Sequence, residues 1–142
     1  SAWDVVIGLL VIQASGLQVT FMGKQEAFKW PLGTILRRHG GMPVNRKAPG
    51  GVIEQVVEKF NASERMWFAL APEGTRREVK DWKTGFWKIA KQADVPVCCA
   101  YFHFPDKVIG VGEVFELTDD MDADIARIRA WYKPFQGKKR GA

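Results

Sequence analysis

The chain has 142 residues, with 21 Lys+Arg against 16 Asp+Glu and a net charge of +5. That is about one domain's worth of sequence, and at 46% hydrophobic residues it can bury a core without relying on metals or disulfides. The positive balance favours anionic partners such as phosphate esters, acidic carrier proteins, anionic lipid surfaces or nucleic acid, and charge alone does not choose among them.

Residues 1–14 read as a helix stopped at Gly16, opened by Ser1 and Asp4 in the form of a capping box. The longest apolar run, Val5 to Ile12, is too short to span a bilayer. The opening Ser1-Ala2-Trp3-Asp4 lacks the basic flank of a signal peptide and has no methionine, so it reads as the start of a trimmed stretch of a longer chain. Leu17 to Met22 alternates as a strand does. Lys24 to Arg38 has a helical pattern interrupted by Pro31, which suits the first position of a second helix. Gly40-Gly41 ends that helix, and Met42 to Asn45 follows as a short strand.

Gly51 to Phe60 places Val52, Ile53, Val56, Val57 and Phe60 on one helical face. Met66 to Ala71 reads as a strand and Thr84 to Ala93 as a helix. Val95 to His103 barely alternates, which predicts a strand buried on both faces. Lys107 to Val111 and Val114 to Leu117 read as two shorter strands, and Asp122 to Tyr132 as a helix with Ile125, Ile128 and Trp131 as its apolar stripe. Strands separated by helices predict an α/β fold: one domain over residues 1–142, with a mostly parallel central sheet flanked by helices on both faces. In such sheets ligands collect beyond the carboxyl ends of the strands.

The only two cysteines, Cys98 and Cys99, are adjacent. They offer neither zinc spacing nor a disulfide framework, and a reduced, cytosolic compartment is the simplest reading. On a strand they point to opposite faces.

The stretch APEGTRRE, residues 71–78, directly follows the Met66–Ala71 strand. Glu73, Gly74, Thr75 and Arg76 therefore fall where a crevice is expected. Gly74 lets backbone approach a ligand closely. Arg76 can grip a phosphate or carboxylate through paired hydrogen bonds, and Glu73 can accept from hydroxyls or orient Arg76. A solvated turn with a surface ion pair explains the same residues. The stretch GGMPVNR, residues 40–46, again ends a short strand in an arginine, Arg46. By itself it reads equally well as a helix stop followed by an exposed arginine. Two arginines each closing a strand favour a shared phosphate site.

In these places the sequence resembles the lysophosphatidic acid acyltransferase-like glycerolipid acyltransferases. That family carries four ordered blocks: His-x-x-x-x-Asp, a glycine-led strand ending in Arg, Phe-Pro-Glu-Gly-Thr-Arg, and an apolar Val-Pro-Val-x-Pro strand. GGMPVNR resembles the second block, APEGTRRE the third and VPVCCAYF, residues 95–102, the fourth. Lys24 in FMGKQEAF sits where the family often has a lysine, and WKTGFWKIA, residues 82–90, resembles the stretch that follows the third block. Ala71 stands in place of the family's Phe, and Cys99 in place of the second Pro of the fourth block. Asp4 fits the Asp of the first block, whose His would fall two positions before Ser1.

The resemblance implies transfer of a fatty acyl group from acyl-CoA or acyl-carrier protein to a hydroxyl of glycerol phosphate or lysophosphatidic acid. No cofactor is implied beyond the thioester co-substrate. Asp4 would orient the catalytic His. Arg46, Arg76 and Lys24 would bind the acceptor phosphate, and Glu73, Gly74 and Thr75 would position its glycerol part. The residues as they stand would then lack the general base. His39, in RRHGG at a helix end, reads as a cation near the helix dipole. His103 lies too close to Asp106 for the family's spacing.

A lipid acceptor implies peripheral attachment to the cytoplasmic face of a membrane. Phe21, Phe28, Trp30, Leu32, Ile35 and Leu36 lie amid Lys24, Lys29, Arg37 and Arg38, a composition that suits an anionic lipid surface. A helix packing its apolar side on the sheet explains the same stripe and is the simpler reading. The terminal GKKRGA reads as a solvated basic tail that can aid adhesion. The alternative function is a non-enzymatic phosphate- or nucleic-acid-binding module, using the positive charge and the tryptophans. No nucleic-acid-binding motif supports it, and no partner of that kind is expected. The glycine-rich loop of a Walker-type phosphate binder is also missing.

Overall fold

A computed structural model describes residues 10–73 and 80–135. The chain forms two compact units, Ser1–Pro72 and Glu73–Ala142. In the first, helix α1 is described over residues 10–15 and stops at Gly16, whose φ of 68° lies in the left-handed region glycine tolerates. Strand β1 (Val19–Lys24) follows, then a 3-10 turn (Gln25–Phe28), helix α2 (Leu32–Arg38), strand β2 (Gly41–Val44), helix α3 (Gly51–Asn61) and strand β3 (Trp67–Ala69).

These three strands form a parallel sheet in the order β2-β1-β3. β1 is central, as its Val-Thr-Phe-Met run suits. β2 pairs with its carboxyl-terminal half, Phe21↔Gly41 to Lys24↔Val44, and β3 with its amino-terminal half, Val19↔Trp67 to Phe21↔Ala69. Pro43 is accommodated because β2 is an edge strand. Phe28, Val44 and Val56 are buried, and Phe60 of α3 meets Phe68 of β3 edge-on at 6.3 Å between ring centroids.

The second unit contains helix α4 (Gly85–Ala93), strands β4 (Val97–His103) and β5 (Val108–Phe115), and helix α5 (Met121–Tyr132). β4 and β5 form an antiparallel pair with an irregularity between Cys98 and Ala100. Phe86, Ile89 and Ala90 of α4 are buried, as are Cys99, Phe115 and Ile128. Gly110 lies directly opposite Tyr101, and Gly112 lies under the indole of Trp131. Those two glycines leave room for an aromatic cluster in which Tyr101 stacks on Phe135 at 3.9 Å and meets Trp131 at 5.9 Å.

The α/β class is as expected, and several details differ. Pro31 precedes α2 as its N-cap rather than opening it. The two short strands expected after residue 106 are one, running through Gly112 and Glu113. β4 pairs antiparallel with β5. It is also not buried on both faces: only Cys99 is fully buried, and Ala100 is exposed. Its continuous apolar run therefore serves one core face and an aromatic cluster, not the middle of a parallel sheet. Asp124 interrupts the face expected of α5 and is completely buried.

Candidate active site

Parallel pairing of β1 and β2 sends both chains out at the same end of the sheet. Lys24, the last residue of β1, is in register with Val44, and Arg46 follows two positions later. Two cations thus lie at the carboxyl end of adjacent strands, where a crevice is expected. Both residues are exposed.

Arg46 begins a built loop. The side-chain amide of Gln55, on α3, pairs with the main chain of Asn45 as a neighbouring strand would. Its Oε1 accepts from Asn45 N at 3.1 Å, and its Nε2 donates to Asn45 O at 2.8 Å. The same Nε2 donates to Gly51 O at 2.8 Å. On the other side, Asn45 Oδ1 accepts from Lys47 N at 2.9 Å, and Asn45 O accepts from Ala48 N at 3.3 Å. The residues on both sides of Arg46 therefore have bonded backbones, and its Cα position is set by α3. Nothing in the sequence marks Gln55: it follows Glu54 on an amphipathic helix, and its spacing gives no sign of a partner ten positions upstream.

β3 leaves the sheet at Ala69, and Glu73, exposed, is the first residue of the second unit. Asp4, Gly74, Thr75 and Arg76 lie outside the described residues, as does the terminal GKKRGA. Of the expected site residues, Lys24 ends β1 and Arg46 follows β2 by two positions, both at the carboxyl end of the parallel sheet.

The two histidines have local partners. His39 caps the end of α2, with Nδ1 at 2.8 Å from Ile35 O and Nε2 at 3.5 Å from Gln13 Nε2. That is the helix-end placement expected of it. His103 ends β4 and pairs through Nε2 with Asp106 Oδ2 at 3.3 Å, across the β4–β5 turn. Among the described residues no three or more His, Cys, Asp or Glu side chains are grouped to hold a metal ion.

Among the described residues, the most perturbed carboxylate is Asp124. Burial pushes its pKa up, but hydrogen bonds from Trp87, Arg127 and Thr118 outweigh burial and hold it at about 2. Trp87 Nε1 donates at 2.9 Å, Thr118 N at 2.9 Å, Thr118 Oγ1 at 3.0 Å and Arg127 at 2.7 Å. Together the Trp87 and Thr118 bonds tie α4, α5 and the Thr118 turn to one another, so Asp124 is a structural anchor. Cys99 is likewise unsuited to nucleophilic work: burial pushes its thiol pKa up, against the hydrogen bond with Tyr132. A cavity of about 50 Å³ is lined by Ala90, Lys91, Asp94 and Glu116.

The family model described as Acyltransferase matches residues 1–103. The match takes in Lys24, Arg46 and residues 71–76, and ends with the last residue of β4. Neither a curated protein nor a solved structure matches the chain.

Proposed function

The chain belongs to the acyltransferase family, and from that premise we propose that it moves a fatty acyl group from acyl-CoA or acyl-carrier protein to a hydroxyl of glycerol phosphate or lysophosphatidic acid. The reading is supported best by one observation: adjacent parallel strands end in or just before Lys24 and Arg46 at the carboxyl end of one sheet, within the matched region. Two cations at one strand end suit a phosphate monoester.

In this reading Arg46 and Arg76 hold the acceptor phosphate, with Lys24 adding a point charge. Glu73, Gly74 and Thr75 position the glycerol part. A histidine two positions ahead of Ser1 takes the proton of the acceptor hydroxyl, and Asp4 holds that imidazole in the required tautomer. The hydroxyl oxygen attacks the thioester carbonyl, the carbon–sulfur bond breaks, and the thiolate leaves with the proton returned by the imidazolium. The acceptor oxygen is the nucleophile, so no acyl-enzyme and no further cofactor is required. The reaction takes place at the cytoplasmic side of a membrane in phospholipid synthesis.

The 142 residues alone bind acceptor better than they turn it over, because a general base contributes roughly 10²–10⁴-fold. Acyl transfer is to be compared for the chain as it stands and for the chain carrying His-Thr ahead of Ser1. A rise of that order is expected on extension. Equal rates would show that the base has been assigned wrongly.

A further inference from the structure

The amphipathic stripe around α2 splits into two parts that sequence alone could not separate. Phe28 is buried, and Gly33 packs so closely on the Phe28 backbone that a Cβ would overlap the Phe28 carbonyl. Arg37 closes the same contact, with its guanidinium 5.4 Å from the Phe28 ring centroid. The Gly33 side of the helix therefore packs on Phe28, with Arg37, itself exposed, reaching over the ring. Leu32 and Ile35, three apart, are turned the other way. They are 53% and 54% exposed, and Trp30 just ahead of them is 87% exposed. Burying Phe28 satisfies the packing explanation of the stripe, yet three large apolar side chains are left in water.

The residues around them are basic. Lys29 adjoins Trp30, and Arg38 lies three positions beyond Ile35 on the same helical face; both are exposed. We propose that Trp30, Leu32 and Ile35 form an insertion face that seats α2 on an anionic lipid surface, with Lys29 and Arg38 contacting the headgroups. An exposed indole beside aliphatic residues, with long cationic side chains at the margins, suits the boundary between headgroups and acyl chains. Among the described residues no helix is long and apolar enough to cross a membrane, so this contact is interfacial. The chain's charge of +5 acts in the same direction. The inference does not depend on the acyl-transfer reading, because it uses neither Lys24 nor Arg46.

The test is flotation of the full chain with vesicles of phosphatidylcholine, with and without phosphatidylglycerol. The wild type is expected to float with the anionic vesicles and to be released by salt. Replacing Trp30, Leu32 and Ile35 together by Ser, and separately Lys29 and Arg38 by Glu, is expected to weaken vesicle binding by about tenfold or more. Trp30→Ser alone, at the most exposed of the three positions, repeats the test if the triple variant does not fold. Indole quenching by lipids brominated along the acyl chain is expected in the wild type and is expected to drop in Trp30→Phe. The proposal is overturned if wild-type chain ignores anionic vesicles. It is also overturned if the Ser variants bind vesicles as wild type does, including the case where they lose affinity only for an acidic carrier protein.

Discussion

Gln55 pairs through its side chain with both main-chain polar groups of Asn45, accepting at 3.1 Å and donating at 2.8 Å. A single amide thereby extends the edge of β2 by one residue and fixes where the chain turns into Arg46. Gln55→Leu keeps the bulk and removes these bonds, leaving Asn45 N to water and Asn45 O with only its bond from Ala48 N. Affinity for glycerol 3-phosphate, measured by calorimetry, is expected to fall several-fold, with about 1 kcal/mol lost in stability. Gln55→Glu is expected to fall between, because a carboxylate still accepts from Asn45 N but donates to nothing. Arg46→Ala is the companion measurement. If it leaves phosphate binding intact, Arg46 is not the grip. If it abolishes binding while Gln55→Leu does not, the grip stands and the clamp is dispensable.

Gly112 of β5 lies under Trp131 of α5, and a Cβ built there would overlap the indole. The indole is fixed on its other sides by Tyr101 at 5.9 Å and Phe135 at 4.7 Å, so it has little room to yield. Gly112→Ala is expected to destabilise the second unit by about 1–3 kcal/mol, the usual cost of an added methyl in a filled site. Thermal melting followed by near-ultraviolet circular dichroism checks this. Trp131→Leu in the Gly112→Ala background is expected to recover part of the loss, whereas an additive loss would mean that the two side chains do not share the space.

Periodicity made the elements legible and left their partners open. The five apolar positions of Gly51–Phe60 predict α3 almost to the residue, because a helix that buries one face writes its period into the sequence. The strand order around β1 has no such signature, since parallel pairing depends on which crossover packs where. β4 shows the failure most clearly: an apolar run suits a strand in the middle of a parallel sheet and a strand in an aromatic-covered hairpin equally well. The site divides along the same line. The positions of Lys24 and Arg46 at and just past strand ends are legible from the sequence, and the family's second block points to Arg46 independently. Gln55 and Asp124 act through contacts between elements distant in sequence, and nothing local marks such contacts. The α2 stripe needed coordinates for a different reason. Its composition fits packing and lipid contact alike, and the close approach of Gly33 to Phe28 decides which side chains do which.

Asp124 makes stability depend on acid. Its folded pKa, about 2, lies below the ordinary carboxylate value of 3.8. The stabilisation is therefore complete above about pH 4 and is lost as pH falls from there through about 2. The carboxylate is fully buried, but Arg127 is half-exposed at 48%, which weakens that bond by solvent screening. The total is then on the order of 1–2 kcal/mol. Asp124→Asn keeps the size, loses the charge and turns an NH2 toward two of the four donors, because each carboxylate oxygen accepts from two. At pH 7 it is expected to melt about 5 °C or more below wild type. The gap between the two proteins is expected to narrow between pH 4 and pH 2, as wild-type Asp124 takes up its proton. A gap that stays constant across that range would mean that the anchor works through shape and not through charge.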